Sequence, residues 1–327
     1  MKDKIRWGIL STGWIAKKFA EGLSALPDAE IVAVGSRAQE TADAFGDEFG
    51  VPHRHASYEA LTADPDVDVI YIGTPHPFHK DNAILSLEAG KAVLLEKPFT
   101  INAGEAAEVI ALARGKGLFL MEAMWTRYIP IIVRLRALLA EGAIGEVRML
   151  TADLGFRREP DPRSRLFAPE LGGGALLDVG IYPISFASMV LGTPSRTASV
   201  ATLGQTGVDE QAGIVFGYEG GQLAVLHTAL RTSTAIEATV MGTEGKIRVH
   251  SPWFYGTTLT LSIEGRKDEV ISLPYEGNGY NFEAAEVNEC LREGKLESDV
   301  MPLDETLAIM RTLDAIRAQW GLKYPTE

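Results

Sequence analysis

Apolar and polar positions along the first third of the chain predict strands and helices in turn. Short, almost wholly apolar runs predict strands, and apolar residues at helical spacing, such as Ile15, Phe19 and Leu23, predict the helices between them. The predicted strands lie at residues 5–10, 31–34, 67–72, 92–95 and 118–121, and the predicted helices at 14–26, 40–49, 82–88 and 103–114. Repeated strand–helix–strand units with apolar strands predict an α/β domain, a doubly wound parallel sheet covered by helices on both faces.

The pattern changes after about Trp125. A predicted helix at 129–140 precedes long strand-like segments, which turns containing glycine separate from one another. These segments lie at 147–156, 198–203, 213–218, 223–229, 235–241, 246–249, 258–263 and 269–273, and helices at 281–292 and 303–319 close the chain. We therefore predict a dinucleotide-type domain at 1–125 and an α+β domain at 126–327, whose large sheet is mostly antiparallel and built of hairpins.

Composition narrows the classes of protein. The 327 residues suit two domains at roughly 150 residues each, and the formal net charge of −13 argues against binding to nucleic acid or to an anionic membrane. The single cysteine, Cys290, excludes an intrachain disulfide and a thiolate zinc cluster. We find no run of about 18 apolar residues and no signal-peptide pattern, and therefore expect a cytoplasmic enzyme or metabolite-binding protein.

The turn after the first strand has the composition of a phosphate-binding turn. A dinucleotide fingerprint needs Gly-x-Gly-x-x-Gly/Ala between a strand and a helix, because side chains there block the pyrophosphate from the helix N-terminus. Gly13 and Ala16 fit this pattern, whereas Ser11 replaces the first glycine. The alternative is that Gly13 serves only a tight turn. Cofactor contacts are expected from five consecutive residues, Ser11, Thr12, Gly13, Trp14 and Ile15.

The end of the second strand favours NADP over NAD. A site that prefers NAD places Asp or Glu there, where the carboxylate bonds the ribose 2′-hydroxyl. This chain has Ser36 and Arg37 instead, a hydroxyl and a guanidinium that suit a 2′-phosphate. The alternative is that Arg37 is simply a solvated residue.

Two further strands end in residues that could face a cofactor, because ligands bind at the carboxyl ends of parallel strands. Glu96 and Lys97, in Glu96-Lys97-Pro98, are expected to contact the cofactor, with Lys97 beside the reactive ring. The alternative is an ion pair of Lys97 with Glu96. The Pro-rich loop after strand 67–72 supplies further expected cofactor contacts, namely Thr74, Pro75, His76 and His79. The two histidines either line the cleft or bond backbone carbonyls, and no metal is expected because companion ligands are lacking.

Three motifs in this order resemble the glucose–fructose oxidoreductase/inositol dehydrogenase (Gfo/Idh/MocA) family. They are Gly73-Thr74-Pro75 with His79, then Ala89-Gly90-Lys91 and Glu96-Lys97-Pro98, then the segment from Gly172-Gly173-Gly174 through Asp178 to Tyr182. Within the family, the stretch from Phe119 through Glu122 and Trp125 to Arg127, together with Tyr182, is similar to the dimeric dihydrodiol dehydrogenase and NADP-dependent xylose dehydrogenase branch. The departure at Ser11 is tolerated in that branch.

The resemblance implies an N-terminal Rossmann domain, a cis Lys97–Pro98 peptide, and an open-faced C-terminal sheet that forms a homodimer or a tetramer. It also implies an NAD(P)-dependent oxidoreductase, with NADP preferred, acting on a carbohydrate, a polyol or a trans-dihydrodiol. Two other functions occur on such a scaffold: an NAD-dependent glycoside hydrolase, and a non-catalytic regulator that senses NADP.

Lys97 and Tyr182 suit the proton transfer that accompanies hydride transfer. A free tyrosine has a pKa of about 10, and an ammonium about 4 Å from a phenolate stabilises it by on the order of 4 kcal/mol at an effective dielectric constant of about 20. We therefore expect Tyr182 to be the acid/base and Lys97 its electrostatic partner. Asp178, four residues before Tyr182, is expected to orient Lys97 or a substrate hydroxyl if the segment is helical. The alternatives are a helix cap for Asp178 and a core aromatic for Tyr182.

Four further side chains are candidates for the substrate pocket. Aromatic rings beside an arginine suit the C–H face of a sugar or a cyclohexadiene ring. Trp125 and Phe156 fit a hydrophobic core equally well. The candidates are Trp125, Arg127, Phe156 and Tyr280.

Overall fold

The computed structural model describes residues 4–327 and divides into two compact units. The first unit runs to Trp125 and also includes Glu276–Leu307, and the second comprises Thr126–Tyr275 and Ala308–Glu327. The sequence predicted one boundary, with 126–327 as a single domain, whereas the structure groups Glu276–Leu307 with the first unit. The reason is packing: the Trp7 indole Nε1 donates to Asn288 Oδ1 at 3.1 Å inside that unit's core.

The secondary structure comprises fourteen strands and nine α-helices among the described residues. The strands are β1 Ile5–Leu10, β2 Ala29–Gly35, β3 His53–His55, β4 Val69–Ile72, β5 Ala92–Glu96, β6 Leu120–Ala123, β7 Val147–Gly155, β8 Arg196–Leu203, β9 Asp209–Gly217, β10 Leu223–Ala229, β11 Ala238–Gly242, β12 Gly245–Val249, β13 Thr258–Ile263 and β14 Glu269–Ser272. The α-helices are α1 Trp14–Leu23, α2 Gln39–Phe49, α3 Tyr58–Thr62, α4 His79–Glu88, α5 Ala103–Lys116, α6 Pro130–Ala140, α7 Ile181–Leu191, α8 Tyr280–Glu293 and α9 Leu303–Trp320.

The first unit is built on a six-stranded parallel sheet with the order β3-β2-β1-β4-β5-β6. Its central strands are almost wholly buried, and the Phe19 ring of α1 stacks on Tyr71 of β4 with ring centroids 3.8 Å apart. This confirms the predicted doubly wound α/β domain. The strand order switches at β1 and β4, because β2 and β3 lie on one side of β1 and β4, β5 and β6 lie on the other. The carboxyl ends of β1 and β4 therefore flank the ligand crevice expected of such sheets.

The sequence pattern missed β3 and α3. β3 consists of His53, Arg54 and His55 and pairs with β2 at the edge of the sheet, and α3 has only five residues. Elements of three and five residues are too short to show a period of 2 or 3.6. The contacts that hold them are tertiary.

The second unit is built on an eight-stranded sheet with the order β14-β13-β12-β11-β7-β10-β9-β8. Five consecutive pairs are antiparallel hairpin neighbours, which confirms the predicted, mostly antiparallel sheet. β7 departs from the hairpin prediction, because it lies in the middle of the sheet and pairs in parallel with β10 and antiparallel with β11.

One segment of the second unit, Pro169–Leu191, is long and apolar enough to cross a membrane. Most of it is buried inside the unit, as in the core helix of a globular domain. It consists of a short 3-10 turn at Pro169–Leu171, a π-helical turn at Leu176–Gly180 and then α7, which packs against β7 and β10. Asp178 and Tyr182 lie on this segment, which we call the site helix from Leu176 to Leu191.

Candidate active site

The turn between β1 and α1 has the backbone that a pyrophosphate site needs. Ser11 has φ +107°, a conformation that favours glycine, so the serine occupies the backbone position of the missing first glycine. Gly13 is the N-cap residue of α1, its N–H donates to Ser11 Oγ at 3.2 Å, and the first turn of α1 contains no acidic residue. The start of this ten-residue helix therefore offers amide groups and a positive dipole end to an anion.

The loops after β1 and β4 approach each other closely. A Cβ at Gly73 would lie 2.9 Å from Tyr71 Cε1 and 3.3 Å from Ile15 Cγ2, so glycine is needed where the β4 loop meets α1. Thr74 is buried and accepts from Asn82 Nδ2 at 3.2 Å, whereas Pro75 is exposed. Trp14, at the first position of α1, leaves 70% of its surface exposed. The residues present at this edge of the sheet fit a bound dinucleotide.

Ser36 and Arg37 follow β2 at the same edge. The Ser36 hydroxyl lies 2.6 Å from Thr41 Oγ1 and 3.4 Å from Thr12 Oγ1, which ties the end of β2 to the β1 turn. Arg37 is exposed and makes no ion pair within residues 4–327. An exposed arginine without an acidic partner at this position is available to an anionic ligand.

Lys97 and Glu96 end β5. The Lys97–Pro98 peptide is cis, as the resemblance implied. Glu96 is buried, and its carboxylate accepts from the Tyr71 hydroxyl at 2.6 Å and from the Lys97 backbone N–H at 3.1 Å. Glu283 on α8 is also fully buried, and burial together with the nearby charge of Glu96 raises its pKa well above the usual range. Glu96 thus fixes the backbone that carries Lys97.

His79 lies between the loops that follow β4 and β5. Its ring is fully buried, with Nδ1 2.9 Å from Pro98 O and Nε2 2.8 Å from Thr74 O. Burial lowers the pKa of His79 despite these carbonyl contacts. His79 thus holds the β4 and β5 loops together, which agrees with the second of the two interpretations considered, and its direct contact with the cofactor stays a prediction. His76 is also largely buried, with its ring 5.8 Å from that of His79.

In the second unit, Asp178 and Tyr182 lie in the first two turns of the site helix. Asp178 is in the π-helical turn, a feature frequent at functional sites, and its Oδ1 accepts from Arg165 Nη1 at 2.7 Å. The Tyr182 ring is 6% exposed and packs 5.2 Å from the ring of Phe254. Sequence reasoning missed Arg165, because its loop contains several arginines and nothing local distinguishes the one that pairs with Asp178.

Of the four pocket candidates, three are aromatic rings that pack against a neighbouring ring or guanidinium, and the fourth is a buried arginine. Trp125 and Tyr280 stack within the first unit, with ring centroids 4.5 Å apart, and Phe156 in the second unit lies under the guanidinium of Arg158, 4.9 Å from the ring centroid. Arg127 is 2% exposed, and it donates to Ser185 Oγ at 3.1 Å and Ser185 O at 3.0 Å. The guanidinium of Arg127 is therefore buried against α7, and its contact with the substrate stays a prediction.

A histidine–aspartate cluster lies at the edge of the first sheet. Asp64 Oδ2 lies 2.7 Å from His53 Nδ1 and 2.9 Å from His55 Nε2, and Asp66 adjoins. However, Asp66 is already paired with Arg6 at 2.7 Å, and Lys91 Nζ bonds the Asp64 carbonyl. The positive charges of Arg6 and Lys91 disfavour a metal ion at this cluster. Because His53 and His55 belong to β3, the hydrogen bonds of Asp64 anchor that strand.

Comparison with known proteins identifies the family. The model of the oxidoreductase family with an NAD-binding Rossmann fold matches residues 5–124, and that of the GFO/IDH/MocA C-terminal domain matches residues 132–248. The chain is 38% identical to the trans-1,2-dihydrobenzene-1,2-diol dehydrogenases of Mus musculus and Homo sapiens, over 99% of this chain and 99% of each relative.

A solved structure is also similar. A 3-ketoreductase from Actinomadura kijaniata, in complex with NADP and TDP-benzene, has a TM-score of 0.86 at 26% identity, covering 96% of this chain and 97% of that one. These likenesses confirm the resemblance carried by the three motifs, and with it the prediction of an NAD(P)-dependent enzyme. The chain belongs to the Gfo/Idh/MocA family of oxidoreductases.

Proposed function

We propose that this enzyme is an NADP-preferring dehydrogenase that oxidises the hydroxyl-bearing carbon of a trans-dihydrodiol, a sugar or a polyol, or reduces the corresponding carbonyl. The observation that carries the proposal is the full-length likeness, at 38% identity, to trans-1,2-dihydrobenzene-1,2-diol dehydrogenases. The cytoplasmic location expected from the sequence stays a prediction.

The preference for NADP rests on Arg37. Its exposed guanidinium lacks an acidic partner in the described chain, and Ser36 beside it adds a hydroxyl. A charge-assisted bidentate contact to a 2′-phosphate suits a guanidinium. The amides at the start of α1 would hold the pyrophosphate, and Thr74 and Pro75 would line the crevice.

The chemistry divides between cofactor and protein. Bound nicotinamide would accept the hydride from the substrate carbon. Tyr182 would take the proton of the substrate hydroxyl through its phenol oxygen, and the Lys97 ammonium is proposed to stabilise the negative charge that develops on the substrate oxygen. Asp178 accepts a hydrogen bond from a substrate hydroxyl, while Arg165 holds its carboxylate. We assign Trp125, Tyr280 and Phe156 to the apolar faces of the substrate ring.

The assembly is proposed to be a homodimer through the second unit's sheet. Apolar side chains are exposed in register across three neighbouring strands, with Ala198 opposite Val215 and Val215 opposite Val225. Val200, on the edge strand β8, is 79% exposed. Apolar rows of this kind on a sheet face are typical of an interface, and a second copy offers the matching surface.

A coupled assay tests the function. The purified enzyme is given NADP or NAD with trans-1,2-dihydrobenzene-1,2-diol, aldopentoses, aldohexoses and anhydro-sugars, and reduced cofactor is followed by absorbance. We expect net cofactor reduction that is faster with NADP for at least one diol or sugar. Hydrolysis of a glycoside without net cofactor turnover would contradict the proposal. Sedimentation of the same preparation as a monomer would contradict the dimer.

A further inference from the structure

Asp209, at the start of β9, is an acidic residue of the second unit that the proposed chemistry does not use. Its side chain is fully buried, and its Oδ2 accepts from the Leu176 backbone N–H at 2.6 Å. It makes no ion pair anywhere in the part of the chain that the structure describes, where the backbone amides of Leu176, Asp209 and Ala175 favour its charged form. A buried carboxylate without a cationic partner is costly, which calls for a reason.

The chain is shaped to admit this carboxylate. Gly174 has φ +115°, and a Cβ at that position would collide with Asp209 Oδ1. A Cβ at Gly173 would lie 2.9 Å from the carbonyl oxygens of Leu166 and Ala168, and the Tyr324 hydroxyl donates to Gly173 O at 2.7 Å. Gly173 and Gly174 are therefore needed because other parts of the same chain pass too close to these two positions to leave room for a side chain.

The carboxylate meets the beginning of the site helix. Leu176 opens the π-helical turn, which continues without a break into α7. The first amides of a helix lack partners within it, so a group that bonds one of them fixes where the helix begins and how its first turn is rotated. Asp178 and Tyr182 are the third and seventh residues of this helix, within reach of that constraint.

We propose that Asp209 is a positioning residue: by holding the Leu176 amide, its ionised carboxylate sets the start of the site helix and thereby the placement of Tyr182 and Asp178. The inference rests on the proposed function, in which Tyr182 is the acid/base. The other ionisable groups that face Asp209 are Arg317 on α9, which favours its charged form, and the Tyr324 phenol.

Ionisation of Asp209 supplies a signature. Burial raises the pKa of Asp209 to about 7, so its charge changes near neutral pH. In an unfolded chain the pKa is about 3.9. The folded protein therefore binds this proton more tightly, and its stability falls as pH rises from about 4 to about 7. If Asp209 positions the site helix, its ionisation should raise turnover while it lowers the stability of the folded protein. A purely structural role would not raise turnover.

The test compares Asp209→Asn with Glu210→Gln in the full-length enzyme. Glu210 is the neighbouring buried acid, but its Oε2 accepts from Arg231 Nη1 at 2.8 Å, so Glu210→Gln is a matched control. Turnover is measured between pH 6 and pH 8.5 with NADP and the substrate found in the screen. We expect Asp209→Asn to match the wild type near pH 6 and to lose about tenfold in kcat at pH 8, with KM little changed.

The inflection of kcat near pH 7 should vanish in Asp209→Asn and persist in Glu210→Gln. In urea unfolding at pH 8, Asp209→Asn should be at least as stable as the wild type. Superimposable kcat–pH profiles of Asp209→Asn and wild type would overturn the proposal, as would equal losses in both variants. Near-normal turnover of Tyr182→Phe would refute the acid/base assignment of the proposed function. The failure of that assignment can be told apart from a failure of the role of Asp209, because the urea unfolding measurement does not depend on activity.

Discussion

The carboxyl edge of the six-stranded sheet and the site helix of the second unit carry their functional groups in different ways. At the sheet edge, Ser11, Ser36, Thr74 and Lys97 each lie within two residues of the end of a strand. On the site helix, the groups that hold the segment come from 13 residues away at Arg165 and from 33 residues away at Asp209. The first arrangement is local, and the second depends on distant parts of the chain.

This difference explains which residues a substitution should affect through chemistry and which through structure. A side chain at the end of a strand is presented by the strand itself, so its loss leaves the backbone in place. A side chain held between elements supports the fold, so its loss should appear first in stability.

The largest effect is expected at Lys97. Lys97→Met should lower turnover by at least about a hundredfold, the usual scale for losing a positioned acid/base partner, while circular dichroism shows an intact fold. Lys80→Met is the control, because it also replaces a lysine by methionine but removes only weak ion pairs. The Lys80 Nζ atom lies 3.9 Å from the carboxylates of Asp81 and Glu108. Near-normal turnover in Lys97→Met would break the assignment of chemistry to the sheet edge.

Asp64 lies in the loop between α3 and β4 of the first unit and is held by tertiary contacts to β3. Its hydrogen bonds to the Asp66 backbone, His55 and His53 outweigh burial and lower its pKa to about 2. With an unfolded value of about 3.9, this contributes about 2–3 kcal/mol that is present above pH 4 and lost as pH falls through about 2. Asp64→Asn should therefore lower the free energy of unfolding in urea at pH 7 by about that amount.

Asp66→Asn is the control for that measurement. Asp66 is exposed and pairs with Arg6, so its loss should cost less than about 1 kcal/mol. Equal losses in Asp64→Asn and Asp66→Asn would show that the two histidines do not anchor β3 through Asp64.

Arg127 tests the comparison in the second unit. Arg127→Met leaves the Ser185 hydroxyl and carbonyl without their donor, which should cost about 1–3 kcal/mol of stability. KM for the substrate should change little. Arg158→Met, which removes an exposed guanidinium from the face of Phe156, should leave stability nearly unchanged. A large rise in KM for Arg127→Met with normal stability would instead support a contact of Arg127 with the substrate.

Arg37→Ala should have the smallest effect of these substitutions, and that effect should be specific to one cofactor. Arg37→Ala should weaken NADP binding by about tenfold or more, the worth of one charge-assisted contact, and leave NAD binding within about twofold. Arg54→Ala on the neighbouring strand, where the arginine pairs with Asp47, should affect neither cofactor. Equal weakening of NAD and NADP by Arg37→Ala would rule out recognition of the 2′-phosphate.

Two buried polar residues show where sequence reasoning stops. His79 and Arg127 are polar residues next to recognisable motifs, and their residue types suggest ligand contacts. In the folded chain both are buried, and their polar atoms meet carbonyl or hydroxyl oxygens of neighbouring elements. Burial is a property of packing, and a single sequence does not reveal it for an isolated polar residue.

The sequence by itself determined the alternation of strands and helices, the parallel sheet, the glycine-like turn at Ser11 and the presence of Lys97 at the end of β5, because each depends on neighbours a few residues away. Tertiary structure alone decided that β7 lies between β11 and β10, that Glu276–Leu307 joins the first unit, and that Arg165 and Asp209 hold the site helix. Such partners are selected by close packing and by the need of buried polar groups for hydrogen bonds, which act between residues far apart in the chain.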